Sequence, residues 1–241
     1  MGQSGVIVRS LWIMKELVDR KYYEAVRPSS CGERLLVRAR TRIYADFLGS
    51  CAPDSQAGII DVGVSDVIND GANILEQLYP YPERITAAGL GEGGDFRTAF
   101  PRVTYMRIGA GGPLPFADQS FEIATANAVL EHVGGTSQQL SFVLEMARIA
   151  RQVFITVPNR YFPVEHHTAI PLLHLWDPSF QLACRLLGKD KWARESELVL
   201  MSIDSLKRLA PSGMRVRVGY TGLAMGPLSS NLFLHLTRIA S

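Results

Sequence analysis

Apolar positions along this chain follow two rhythms. Short apolar runs recur at Gly58-Ile-Ile-Asp-Val-Gly63, Arg84-Ile-Thr-Ala-Ala-Gly-Leu90, Val103 to Ile108, Phe121 to Ala126 and Gln152 to Val157. Each is short, bounded by turn residues and rich in buried-strand types, so each predicts a strand. Between them lie segments nearer the helical period: a short one at 73–78, another around 96–100, and Ser137 to Ala150 with Leu140, Val143, Leu144, Ala147 and Ile149. Strands alternating with helices imply right-handed crossovers and a parallel sheet covered on both faces.

The flanks of this rhythm differ from it. Residues 6–50 read as helical with a break near Arg27-Pro28-Ser29-Ser30, and Pro53-Asp54-Ser55 reads as a linker. After Pro158 the alternation stops. Residues 159–200 hold Pro163, Pro171 and Pro178, five large aromatics and three of the five histidines, which suggests a cap over a site. Ser202 is placed to cap a short helix, and Arg215 to Thr221 and Asn231 to Ile239 read as two late strands. The predicted organisation is a helical preface over 1–52 and an α/β domain over 53–241, with a cap insertion at about 159–200.

Composition narrows the class. At 241 residues, 47% hydrophobic and 20% charged, the chain can bury a full core. A net charge of +2 with scattered Lys and Arg gives no footprint for nucleic acid. Arg34, Arg38 and Arg42 share one face of the helix expected at 32–48, a solvated face in preference to a phosphate-binding patch. Cys31, Cys51 and Cys184 lack metal-type spacing or an even count, as expected of thiols in a reducing compartment. No apolar run is long enough to cross a membrane, and the Gly5 to Met14 stretch, interrupted by Arg9, does not read as a signal peptide. A cytoplasmic location is therefore expected. The apolar N-terminal residues would pack on the domain, with peripheral membrane or partner contact as the alternatives.

The most informative stretch runs from Leu114 to Val133: a Pro-bounded turn, the strand from Phe121, and Asn127-Ala-Val-Leu-Glu-His-Val133 at its carboxyl end. In open α/β sheets ligands bind outside that end, so Asn127, Glu131 and His132 are expected at a cleft. Asn159-Arg160 follows the next strand and would either hold an anionic or sugar substrate or tie the loop to the sheet. No Gly-x-Gly-x-x-Gly follows the first strand, which argues against a nicotinamide-binding oxidoreductase.

Ile59-Ile-Asp-Val-Gly63, Leu114-Pro-Phe-Ala-Asp-Gln-Ser-Phe-Glu122 and Asn127-Ala-Val-Leu-Glu-His-Val133, in that order and spacing, resemble the class I S-adenosylmethionine-dependent methyltransferases. The stretch from Ala150 to Trp176 is similar to a bacterial branch of that family. The resemblance implies a Rossmann-like, doubly wound, seven-stranded, mostly parallel sheet with its last strand antiparallel. It also implies S-adenosylmethionine as cofactor and methyl transfer to a small-molecule or glycan-type acceptor, with oxygen as the target atom.

By the same resemblance Asp61, Gly63, Val64 and Ser65 lie around the methionine part, and Gly89 and Leu90 beside the ribose and adenine. Ala110 and Gly111 would face the adenine edge, and Asn127 and Ala128 the sulfonium. His132, His166 and His167 are the candidate catalytic residues, although His132 would equally serve as a structural histidine bonded to backbone. His174 and His235 read as packing or surface residues.

Three positions depart from the family pattern. Val64-Ser65 replaces a glycine-rich turn, so amides from the Ser65 to Ala72 loop would meet the cofactor. Gly89 replaces the acid that holds the ribose, with Glu92 or Asp95 as substitutes, and Ala110 replaces the adenine-contacting acid. Each lost charge-assisted bond costs roughly 1.5 to 3 kcal/mol of affinity, so the alternative is a degenerate fold member acting as a binding or scaffold module. Glu131, His132 and a later histidine also resemble the metal site of small-RNA 2'-O-methyltransferases. Ala128 stands where that pattern needs a glutamate, so no metal is expected.

Overall fold

The computed structural model describes residues 31–66, 68 and 72–239. The helix expected ahead of Arg27, the apolar N-terminal contact and part of the loop after Asp66 lie outside these residues. Cys31–Cys51 forms one long helix, α1, in place of the second half of the expected preface.

Seven strands follow: β1 (Ile59–Val62), β2 (Ile85–Gly89), β3 (Thr104–Arg107), β4 (Phe121–Asn127), β5 (Ala150–Pro158), β6 (Met214–Thr221) and β7 (Asn231–Arg238). They form one sheet in the order β3-β2-β1-β4-β5-β7-β6. Neighbours from β3 to β5 pair in parallel, whereas β7 runs antiparallel to both β5 and β6. The order reverses at β1 and β4, which both open toward the same edge, and a cleft forms at such a switch point.

Alternation along the central strands sends side chains to two cores. Ile59 and Ile123 join Phe47, Ile85, Phe96 and Phe154 on one face, under α1, α2 (Ile74–Leu78) and α3 (Gly94–Ala99). Ile60, Val62, Ala124 and Ala126 join Val143, Met146 and Leu206 on the other, under α4 (Thr136–Ile149) and α6 (Ile203–Arg208). Each large apolar side chain fully buried this way contributes about 1.5 to 3 kcal/mol. Ser202 caps α6 as its position predicts, in a reciprocal capping box with Ser205.

The insertion after β5 has a small core of its own, in which α5 (Asp177–Leu186) packs Phe180, Ala183 and Cys184 against Ile170 and Leu198. Asn159 and Arg160 anchor it. The Asn159 amide donates to the Pro227 and Ser229 carbonyls and Arg160 reaches Asp177, so this pair ties the loop to the sheet.

Candidate active site

A cavity of about 570 Å³ opens at the carboxyl ends of β1, β2 and β4, beneath α1 and beside the cap. That size falls in the ~300–1,000 Å³ range of small-molecule sites. Of the ten residues expected around a cofactor, Asp61, Gly63, Val64, Ser65, Leu90, Ala110, Asn127 and Ala128 line it. Gly89 and Gly111 do not. Gly89 lies under the Tyr105 hydroxyl, where a Cβ would come within 2.6 Å, and Gly111 faces open space.

The turn after β1 depends on glycine at one point. Gly63 has φ +97°, and a Cβ there would sit 2.3 Å from a Val129 methyl, so the two strand ends close on each other only without a side chain. The amides that follow are committed internally. Gly63 and Val64 N–H both donate to the Ala88 carbonyl, at 2.7 and 3.3 Å, and Ser65 N–H donates to Asn73 Oδ1 at 3.2 Å. The expected amide cradle is therefore used up by the fold at these positions.

Charged groups stand around this end. Asp61 and Glu76 are neighbouring carboxyls, and burial followed by Asp61's charge pushes Glu76 well above the ordinary range. Asp61 is raised by burial and countered by the Arg40 guanidinium, so one proton serves the pair. Arg40, Tyr44 and Phe47 reach the cavity from α1. Helical periodicity did not single them out, because their role is visible only once α1 lies over the sheet edge.

On the nucleoside side, Asp66 lines the cavity and its Oδ2 accepts the Gly93 amide at 3.1 Å. Glu92 instead pairs with Arg107, both half or more exposed, and Asp95 sits in the exposed first turn of α3. Neither lines the cavity, so the acid at this edge comes from the loop after β1 and not from the loop after β2.

Asn127 ends β4 with its Oδ1 accepting the Thr156 hydroxyl at 2.6 Å, which leaves the two Nδ2 donors for the cavity it lines. Ala128 follows with φ +57°, and its N–H donates to the Thr156 carbonyl. Such strain in a non-glycine residue costs about 1–3 kcal/mol and collects at functional sites.

At the acceptor end the structure brings His132 and His167 together and leaves His166 outside. His132 lines the cavity, its Nδ1–H donates to the Glu197 carbonyl at 2.6 Å, and its Nε2 lies 3.1 Å from His167 Nε2. His167 Nδ1–H donates to Glu165 at 2.7 Å. With each Nδ1 committed to an acceptor, the two Nε2 atoms meet across one proton or one cation. Burial, then His167's charge, pushes His132 down to about 3.

Glu165 anchors the chain and was not singled out in the sequence, although it stands in the same Glu165-His-His-Thr168 stretch. Burial pushes its carboxyl up, but bonds from the His167 ring and backbone and from Thr168 outweigh it and hold it at about 2. His166 packs on Phe162 and faces a small second cavity with Glu131, Glu165 and His174. His174 and His235 are buried packing residues, bonded to the Phe162 carbonyl and to Gln152.

Glu131 lies under this pair, 1% exposed, and burial pushes it up to about 7 despite the opposing charge of His167. One donor atom each from Glu131, His132 and His167 lies within 4.8 Å of the others. Two imidazoles and a carboxylate suit a divalent transition metal or Zn²⁺, and Glu165 on His167 Nδ1 is the outer partner such a ligand usually has.

Solved structures similar in fold to this chain include several methyltransferases. Magnesium protoporphyrin IX methyltransferase from Synechocystis PCC 6803, with S-adenosylhomocysteine bound, is 14% identical, with 98% of this chain and 100% of that one covered and a TM-score of 0.56. The methyltransferase domain of bacterial CtHen1 is 15% identical, covering 84% and 99%, with a TM-score of 0.54. The N-methyltransferase NodS from Bradyrhizobium japonicum, in complex with S-adenosyl-L-homocysteine, is 10% identical, covering 83% and 87%, with a TM-score of 0.54. No protein-family model and no curated protein matches the chain. What these structures share with this protein at such identities is the fold, the class I methyltransferase fold.

Proposed function

We propose that this protein is an S-adenosylmethionine-dependent methyltransferase that transfers to a hydroxyl of a small-molecule or glycan-type acceptor. The observation that carries the reading is the 570 Å³ cavity at the switch point, lined from one end by Asp61, Gly63 and Asn127 and closed at the other by His132 and the cap residue Trp192. Bound there, the cofactor supplies an electrophilic methyl whose transfer leaves a neutral thioether, so no general acid is needed. The protein's task is then mainly alignment.

Asn127, with its carbonyl fixed by Thr156, presents amide donors beside the reacting end. Asp66 receives the ribose hydroxyls in place of the acid that Gly89 and the exposed Glu92 do not provide. Trp192, Lys191, Ser196 and Glu197 line the acceptor end, a broad aromatic face rimmed by polar groups that suits a sugar ring. His132, neutral because burial pushes its pKa down to about 3, accepts a hydrogen bond from the acceptor hydroxyl at Nε2 in exchange for its contact with His167, and takes that proton as the oxygen takes the methyl.

Calorimetric titration with S-adenosylhomocysteine tests this reading, with binding expected in the micromolar range. No heat at millimolar ligand would overturn it and favour the scaffold alternative.

A second reading concerns the same histidines. Glu131, His132 and His167 would hold a divalent cation in place of the shared proton, and the cation would supply a Lewis acid that orients the acceptor oxygen and lowers its proton affinity. Metal content of the purified protein, with Zn²⁺ and Mn²⁺ titrated into wild type and His167→Ala, separates the two forms of the site.

A further inference from the structure

The arm of the cap between Leu172 and Lys189 is apolar on two sides. Inward, α5 buries Phe180, Ala183 and Cys184 against Ile170 and Leu198. Outward, Leu182 and Leu186 stand one turn apart on the side of the helix away from those three, 57% and 77% exposed. The turn that precedes α5 and packs on it adds Leu172, Leu173 and Trp176, all between 48% and 68% exposed, and Leu187 follows at 59%. A single exposed leucine needs no explanation, but a gathering of this kind marks an interaction surface.

Charge on the arm has one sign. Its only acid is Asp177, which is paired with Arg160 at 2.5 Å. Its bases are Arg185, exposed on the outward side of α5 with Leu182 and Leu186, and Lys189, whose Nζ donates to the Thr168 carbonyl at 2.6 Å. An apolar face that carries cations and no unpaired acid is complementary to anionic lipid headgroups. It fits a second copy of the chain poorly, because a two-fold interface would lay the patch on itself and set these cations against their own copies with no carboxylate between them.

The arrangement along α5 is that of a helix lying in a membrane interface. Leucines point outward, Trp176 stands at the N-cap with an indole suited to headgroup depth, and Arg185 borders the leucines with a stem long enough to reach phosphates.

We propose that the Leu172–Lys189 arm seats this protein on an anionic lipid surface, with α5 in the interface plane and Trp176, Leu182 and Leu186 entering the acyl boundary. The proposal goes beyond the methyltransferase reading and does not rest on it. The turn Asp190–Ala193, which carries Lys191 and Trp192 of the cavity lining, packs against α5, so the seat lies beside the acceptor end of the cavity.

The full-length chain is cosedimented with vesicles of phosphatidylglycerol and phosphatidylcholine, and with vesicles of phosphatidylcholine alone. Wild type is expected to bind the anionic vesicles, and the neutral ones at least about tenfold more weakly. The double variant Leu182→Ser, Leu186→Ser should weaken binding to anionic vesicles about 10- to 100-fold, and Arg185→Gln about fivefold. These side chains are exposed, so each variant should melt within a few degrees of wild type. Trp176→Ser, expected to lose about tenfold, replaces the double variant if that one does not.

No binding by wild type, or equal binding to both vesicle types, overturns the proposal. So does binding that every cap variant leaves unchanged, since the contact then lies elsewhere in the chain, the apolar Gly5 to Met14 stretch outside the described residues included. A dimer in sedimentation equilibrium that the double variant dissolves, without vesicle binding, gives the face to a second copy and overturns the proposal as well.

Discussion

The two ends of the cavity are held by different means. At the acceptor end a buried chain of side chains, Glu165, His167 and His132, is locked from Thr168 at one end to the Glu197 carbonyl at the other. At the cofactor end the strand termini spend their amides on one another, and Arg40, Asp61 and Asp66 face the opening from separate elements. The first end is bonded together before any ligand arrives, and the second presents charged groups to the opening. Mutations at the acceptor end should therefore move stability, whereas those at the cofactor end should move affinity.

The largest effect is expected from Glu165→Ala. Glu165 is 3% exposed, and removing it leaves the His167 ring and two amides without their acceptor. Breaking a buried pair this way costs about 3–5 kcal/mol, to be read from urea denaturation, while S-adenosylhomocysteine affinity should change little. The same group sets an acid limit for wild type. Its folded pKa of about 2 lies below the ordinary carboxylate value, so its stabilisation is complete above pH 4.5 and is lost as pH falls toward 2. A variant as stable as wild type would show that the acceptor end is not held by this chain.

Glu131→Gln comes next and has the opposite sign. Burial raises Glu131 from 4.5 to about 7, so its contribution to stability is complete below pH 4.5 and is lost as pH rises through 7. Wild type should lose about 3 kcal/mol from this group between pH 5 and pH 8, a slope that Glu131→Gln removes. A divalent cation at Glu131, His132 and His167 would reverse the comparison. Wild type, and not the variant, would then gain thermal stability on addition of Zn²⁺ at pH 8.

Much of this contrast could be read in the sequence on one side only. The strands of the sheet were legible because buried parallel strands leave continuous apolar runs, and Ile59 to Val62 and Phe121 to Asn127 fall where those runs place them. Gly63 was legible as a strand-end glycine beside the cofactor, whereas the neighbour that excludes its Cβ, the Val129 methyl, was not. His132 and His167 could be named as candidates, but their meeting across 35 residues depends on how the cap folds back, and no local period records that. Arg40 and Asp66 were illegible for the same reason. Arg40 looks like one more charge on an exposed helix, and Asp66 like a loop residue, until α1 and the β1 loop are set around one opening.

The smallest predicted change is Asp66→Asn, which separates the two halves of the cofactor end. The amide oxygen still accepts the Gly93 N–H, so the loop should hold and the melting point should move by only a few degrees. What disappears is the charge behind any bond to a ribose hydroxyl. Reducing a charge-assisted bond to a neutral one loses about 1 kcal/mol, or roughly five- to tenfold in affinity. Because S-adenosylhomocysteine and 5'-methylthioadenosine, which lacks the amino-acid group, share the ribose, both should weaken by the same factor. A loss confined to S-adenosylhomocysteine would place Asp66 on the amino-acid side with Asp61, and no loss for either ligand would leave the ribose held by backbone alone.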